Sequence, residues 1–201
     1  MNNNENEASS SGNTKNERNR IQRAKEELVK SIRKGSFGNY STVTLGSENI
    51  VKIIHNNNNE EEEDEKVLCV SMKVLPHMTN SLNNLHGGAM ATLVDLWTSA
   101  VLYLVDPSFI SVSINLSMDY ISSAPLYSNI LITSKVLYAG KSIQFSNCSI
   151  HCILPNNHNN TNHDTLPTTI TTNKLQLVAK GTHIKKKISS SLQAKNHRSK
   201  L

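Results

Sequence analysis

The sequence predicts an α+β fold in which an antiparallel sheet curls around one buried helix. Three observations predict it. Residues Ala89 to Val105 are almost all Ala, Met, Leu, Val, Trp or Tyr. A run apolar on every side is the pattern of a helix in the middle of a fold. Val112, Ile114, Leu116, Met118 and Tyr120 alternate with Ser111, Ser113, Asn115, Ser117 and Asp119, the period of a half-buried strand. Further strand-like segments follow at short turns, which gives an antiparallel sheet.

Taken in order, residues 1–20 are polar without periodicity, so disorder is expected. Ile21, Ala24, Leu28 and Ile32 recur at helical spacing up to Gly35, which predicts an amphipathic docking helix. The glycines of Gly35–Ser36–Phe37–Gly38 make no phosphate loop, because no Gly-Lys-Ser/Thr follows. Strands are expected over Thr42–Ile54 and Lys66–Leu75, then the central helix over His86–Val105. After the alternating strand come Asn129–Tyr138, Ser142–Leu154 and Lys174–His183. The apolar phase shifts between Phe145 and Cys148, which predicts a bulge there. Asn56–Glu65 and Asn156–His163 are low-complexity runs, cheap to accommodate in loops. The organisation expected is a polar segment 1–20, one domain 21–188 with inserts near 56–65 and 156–173, and a basic tail 189–201.

The formal charge is +5, and no Asp or Glu follows Asp164, so the C-terminal part is a basic surface suited to an anionic partner. No aromatic interleaving or nucleic-acid module accompanies it, and nucleic acid is not expected as a partner. Cys69, Cys148 and Cys152, without a secretory signal, point to thiols in a reducing compartment. Cys148 and Cys152 lie in an expected strand, and His158 and His163 in a low-complexity insert, so no metal site is expected. The central helix is long enough to span a membrane, but Asp95 sits near its midpoint and a soluble core helix is the reading.

Asp95 is the one charge in that apolar helix, costly to keep ionised there without a partner or a purpose. Gly87 and Gly88 leave bare backbone N–H groups at the helix start, where a ligand carbonyl can approach. The pair reads as a carbonyl polariser and an acid or base. Eight residues separate Gly87 from Asp95, about 12 Å along a helix axis. One chain cannot easily present both to one reacting centre. Two copies with antiparallel helices can, which gives two equivalent sites per dimer.

Asn80, His86–Gly87–Gly88, Asp95 and the strand Val112–Ser113–Ile114–Asn115 resemble the hotdog-fold acyl-CoA thioesterases of the thioesterase superfamily. The likeness runs from about Ile21 to Lys187, interrupted by the two Asn-rich inserts. It implies a hotdog fold and hydrolysis of medium- or long-chain fatty acyl-CoA to free acid and coenzyme A, with no cofactor beyond the substrate's own coenzyme. Gly87 would polarise the thioester carbonyl through its N–H and the helix dipole. Asp95 would be general base or nucleophile. Ser113, on the polar face of its strand, would hold the water or orient the partner subunit's Asp. Asn80 would steady the thioester or the water, and His86 would cap the helix. Coenzyme A is expected along Tyr120 to Ser122, at the turn Gly140–Lys141–Ser142 and at Lys186. Ser123 stands where the family often has Pro. An acyl channel is expected between helix and sheet, lined by Met90, Leu93, Val94 and Trp97.

A homodimer or homotetramer is implied. The chain ends Ser199–Lys200–Leu201, which reads as a peroxisomal import address recognised by a receptor and gives a matrix location. Two rival readings are an enoyl-CoA hydratase or dehydratase on the same fold and a non-catalytic acyl-CoA-binding module. The first needs an Asp/His pair, and no second His is expected near Asp95. The second would tolerate loss of Asp95 or Gly87, and both are present.

Overall fold

The computed structural model describes residues 22, 23, 26, 30, 50–55, 66–106, 110–155 and 174–188, with 50–55 as backbone. The chain divides into Met1–Ile50 and Val51–Leu201. Of the first unit, Gln22, Arg23, Glu26 and Lys30 are helical and exposed, and Gln22 Nε2 donates to Glu26 Oε1 at 2.9 Å, one turn on. The apolar positions expected on that helix, the strand residues before Ile50, both low-complexity inserts and the C-terminal tail lie outside the described residues.

The described residues then form six strands and one long helix: β1 (Ile50–His55), β2 (Lys66–Lys73), α1 (Gly87–Val105), β3 (Ser111–Tyr120), β4 (Asn129–Ala139), β5 (Ile143–Leu154) and β6 (Lys174–Lys187). They form one sheet in the order β1-β2-β4-β5-β6-β3. The pairs β2–β4, β4–β5, β5–β6 and β6–β3 are all antiparallel. This is the α+β arrangement expected.

α1 packs across one face of the sheet. Met90, Leu93, Val94, Trp97, Val101 and Leu102 are buried there, against Leu68, Val70 and Met72 of β2, Ile130 and Ile132 of β4, and Ile150 of β5. The four residues expected to line an acyl channel are therefore core, each at most 5% exposed. The apolar run is not buried on every side, since Asp95, Leu96, Ser99 and Tyr103 stay half-exposed. α1 is long and apolar enough to cross a membrane, and its buried face against the sheet accounts for that composition.

Three expectations need correction. β3 is an edge strand rather than a half-buried one, with Val112 and Ile114 half or more exposed. β5 carries no phase shift: Gln144, Ser146, Cys148, Ile150 and Cys152 alternate inward without a break. The shift seen in sequence arises because polar Gln144 and Ser146 occupy inward positions. The bulges fall on the partner strands, where Leu137 of β4 and Val178 of β6 are the extra residues in the register. β6 also runs four residues past His183, which brings Lys185, Lys186 and Lys187 into the sheet.

Candidate active site

The helix start is built by a loop that Asn80 organises. Asn80 Oδ1 accepts from the N–H of Leu82 at 3.0 Å and of Asn84 at 3.1 Å, and Asn83 takes a left-handed backbone at φ 55°. Backbone bonds then tie Leu85 to Ala124 and His86 to Met78. His86 is the helix N-cap; its Nδ1 accepts from Gly88 N–H at 2.9 Å, and its carbonyl from Met90 N–H at 2.9 Å. Among the described residues nothing accepts from the Gly87 N–H, which is left at the positive end of the helix dipole. The Tyr120 ring lies beside it, 3.5 Å from where a Cβ on Gly87 would stand.

Just over two turns along α1, Asp95 enters a cluster with β3 and β6. Its Oδ1 is 3.5 Å from Ser113 Oγ and 3.4 Å from His183 Nε2. Ser113 Oγ is 2.8 Å from His183 Nε2, and His183 Nδ1 is 2.6 Å from Thr98 Oγ1. Hydroxyl counting sets the tautomer. The Thr98 hydrogen goes to the Val94 carbonyl at 2.6 Å, so Thr98 accepts from His183 Nδ1–H. His183 Nε2 is then the acceptor of the Ser113 hydrogen. Burial and the Lys185 charge, opposed by Asp95, lower the His183 pKa to about 4, which fits a neutral ring.

The placement of Ser113 follows from a bulge. Ser113 pairs with Lys185, but Asn115 pairs with Ile184, so Ile114 is extra. Leu116 faces His183 and Met118 faces Gly181, both on the helix side. Without the bulge Ser113 would point away from them; with it, Ser113 joins them on the helix side. Strict alternation therefore put Ser113 on the wrong face. The Asp95 that Ser113 meets belongs to its own chain.

The expected coenzyme residues fall into two groups. Gly140, Lys141, Ser142 and Lys186 lie together, since the turn closes by Gly140 N–H to the Ile143 carbonyl at 3.1 Å and Lys187 N–H to the Ser142 carbonyl at 2.8 Å. Lys141 and Lys186 are exposed. Tyr120 and Ser122 lie at the other end of β3, about 26 Å from Val112 at strand rise. Ser122 Oγ donates to the Leu177 carbonyl at 2.6 Å, so its hydrogen is committed to the fold. One chain does not bring the two groups together.

The thioesterase superfamily sequence model matches residues 82–153 of this chain. Acyl-coenzyme A thioesterase 13 of Mus musculus is 33% identical over 119 residues, which cover 55% of this chain and 85% of that protein. The chain belongs to the thioesterase superfamily. The Homo sapiens protein of the same name is 38% identical over 85 residues, 42% of this chain and 60% of that protein. Among solved structures, zebra fish thioesterase superfamily member 2 superposes with a TM-score of 0.51 at 21% identity, covering 81% of this chain and 95% of that one, and shares the hotdog fold.

Within this superfamily member, two site residues escaped the sequence reading. His183 stands beside Asp95 although no second His was expected there, and Lys185 is buried beside it. Both sit in a Lys-rich stretch that reads as solvated surface. Their alternation, with Gly181, His183 and Lys185 all inward, was the available signal. On β5, Cys148 and Cys152 point inward while His151 alternates to the other side.

Proposed function

We propose that this protein hydrolyses fatty acyl-CoA to free acid and coenzyme A. The observation that carries the reading is the Asp95 carboxylate, 24% exposed and flanked by Ser113, on a helix whose start keeps a free Gly87 N–H. The N–H would stabilise the oxyanion as water adds to the thioester, a donor of a type worth about 10²–10³ in rate. Asp95 would take one proton from that water and Ser113 Oγ, whose own hydrogen goes to His183, would accept the other. Asn80, whose carbonyl end is spent on its loop, would offer its amide to the thioester. Two copies would share each site. The β3 edge is exposed and apolar, and antiparallel pairing of two such edges would bring Tyr120 and Gly87 of one copy toward Ser113 and Asp95 of the other. The same pairing would join the two coenzyme-binding groups.

Enoyl-CoA hydration is the second reading, favoured by the Asp95–His183 contact. His183 argues against it. Its side chain is fully buried and both ring nitrogens are engaged within the chain, leaving neither for a substrate proton. Purified protein should release free thiol from acyl-CoA across a chain-length panel and should not hydrate trans-2-enoyl-CoA. Hydration without thiol release would reverse the assignment.

A further inference from the structure

Lys185 departs from its neighbours. Lys186 and Lys187 are exposed, whereas Lys185 is 8% exposed. A buried ammonium is costly to desolvate and persists where acceptors and an anion surround it. Nζ donates to Ser99 Oγ at 3.0 Å and to Ser113 Oγ at 3.3 Å. Both serines adjoin Asp95. Ser99 Oγ donates to the Asp95 backbone carbonyl at 2.7 Å, and Ser113 Oγ stands 3.5 Å from Oδ1.

Each hydroxyl has one hydrogen. That of Ser99 goes to the Asp95 carbonyl, and that of Ser113 goes to His183 Nε2, the nearer of the two groups that could accept it. Both oxygens therefore accept from Lys185. Ser113 is left with no proton for Asp95, and the charge that balances the carboxylate comes from the ammonium.

We propose that Lys185 is a positioning residue of the hydrolytic site: it fixes the Ser113 oxygen and places a positive charge near the Asp95 carboxylate. The inference rests on the thioesterase reading. Facing Lys185 are Asp95 and Ser99 from α1, Ser113 from β3, neutral Gln144 from β5, its direct register partner, and neutral His183 on its own strand. Asp95 is the only carboxylate in that set. Burial lowers the Lys185 pKa and the Asp95 charge raises it, the reciprocal sign of the same coupling.

The test is thiol release from acyl-CoA, measured as kcat and KM against pH for wild type, Lys185→Met and Lys185→Arg. Lys185→Met should keep KM, lose at least about tenfold in kcat, and move the acidic limb of the profile to higher pH, because loss of the cation eases carboxylate protonation. Lys185→Arg should restore most of kcat and the wild-type acidic limb. Should the Met variant not fold, Lys185→Gln is read by the same criteria. Wild-type kcat in the neutral variant, or a loss of kcat with the acidic limb unmoved, overturns the inference while leaving the thioesterase reading intact. A wild-type protein that releases no thiol overturns both.

Discussion

His183 confines the pH range over which the site keeps its hydrogen-bond pattern. Its ring is neutral in the fold, donating from Nδ1 to Thr98 and accepting at Nε2 from Ser113. The folded pKa of about 4 lies below the ordinary 6.5, so between those values the unfolded chain holds the extra proton. His183 therefore makes stability rise as pH climbs from about 4 to 6.5 and adds no pH dependence beyond. Urea unfolding at a series of pH values should show that rise in wild type and a smaller one in His183→Gln, where His151, its pKa also lowered by burial, still contributes. An equal rise in both would place the titration elsewhere. At this scale the sequence disclosed Asp95 and Gly87 because each violates its surroundings, a charge in an apolar run and glycines at a helix start. His183 and Lys185 violate nothing locally. They become unusual only once β6 is known to continue past His183 and to turn both inward.

Among the elements, the approach of α1 to β6 depends on Gly181. A Cβ there would stand 2.7 Å from Met118 Sδ, 2.8 Å from the Ser117 carbonyl oxygen and 3.0 Å from Val94 Cγ1. The carbonyl cannot yield, so Gly181→Ala should destabilise by about 1–3 kcal/mol through overpacking. At Gly87 a Cβ would meet the Tyr120 ring at an ordinary 3.5 Å, and Gly87→Ala should leave the melting temperature near wild type. Comparing the two melting temperatures tests the packing; equal effects would contradict it. Periodicity located every strand after α1 because one face of each packs on the helix. It failed where the rule of two is broken by an inserted residue. The Ile114 bulge turns Ser113 inward, and inward polar Gln144 and Ser146 imitated a bulge that β5 lacks. Nothing in the residue types of β3 distinguishes an edge strand from a covered one, so its exposure was not legible either.

For the molecule as a whole, the spacing within α1 is decisive. The helix is unbroken from Gly87 to Val105, so the N–H donor and the carboxylate are about 12 Å apart along its axis. Sequence alone gave that distance, and with it the expectation of a shared cleft. The structure adds the means: an apolar β3 edge with Gly87 and Tyr120 at one end and Asp95, Ser113, His183 and Lys185 at the other. The measurement that bears on this most directly is a mixed dimer. Gly87→Pro deletes one N–H at the first helical position, where proline is tolerated and where His86, at φ −67° and ψ 140°, already has the extended backbone a following proline requires. Asp95→Asn deletes the base. Each homodimer should be nearly inactive in thiol release, and their random mixture should recover about a quarter of wild-type turnover, since half the dimers would hold one intact site. A mixture as inactive as its parents, or a fully active monomer, would contradict a catalytic cleft divided between two chains.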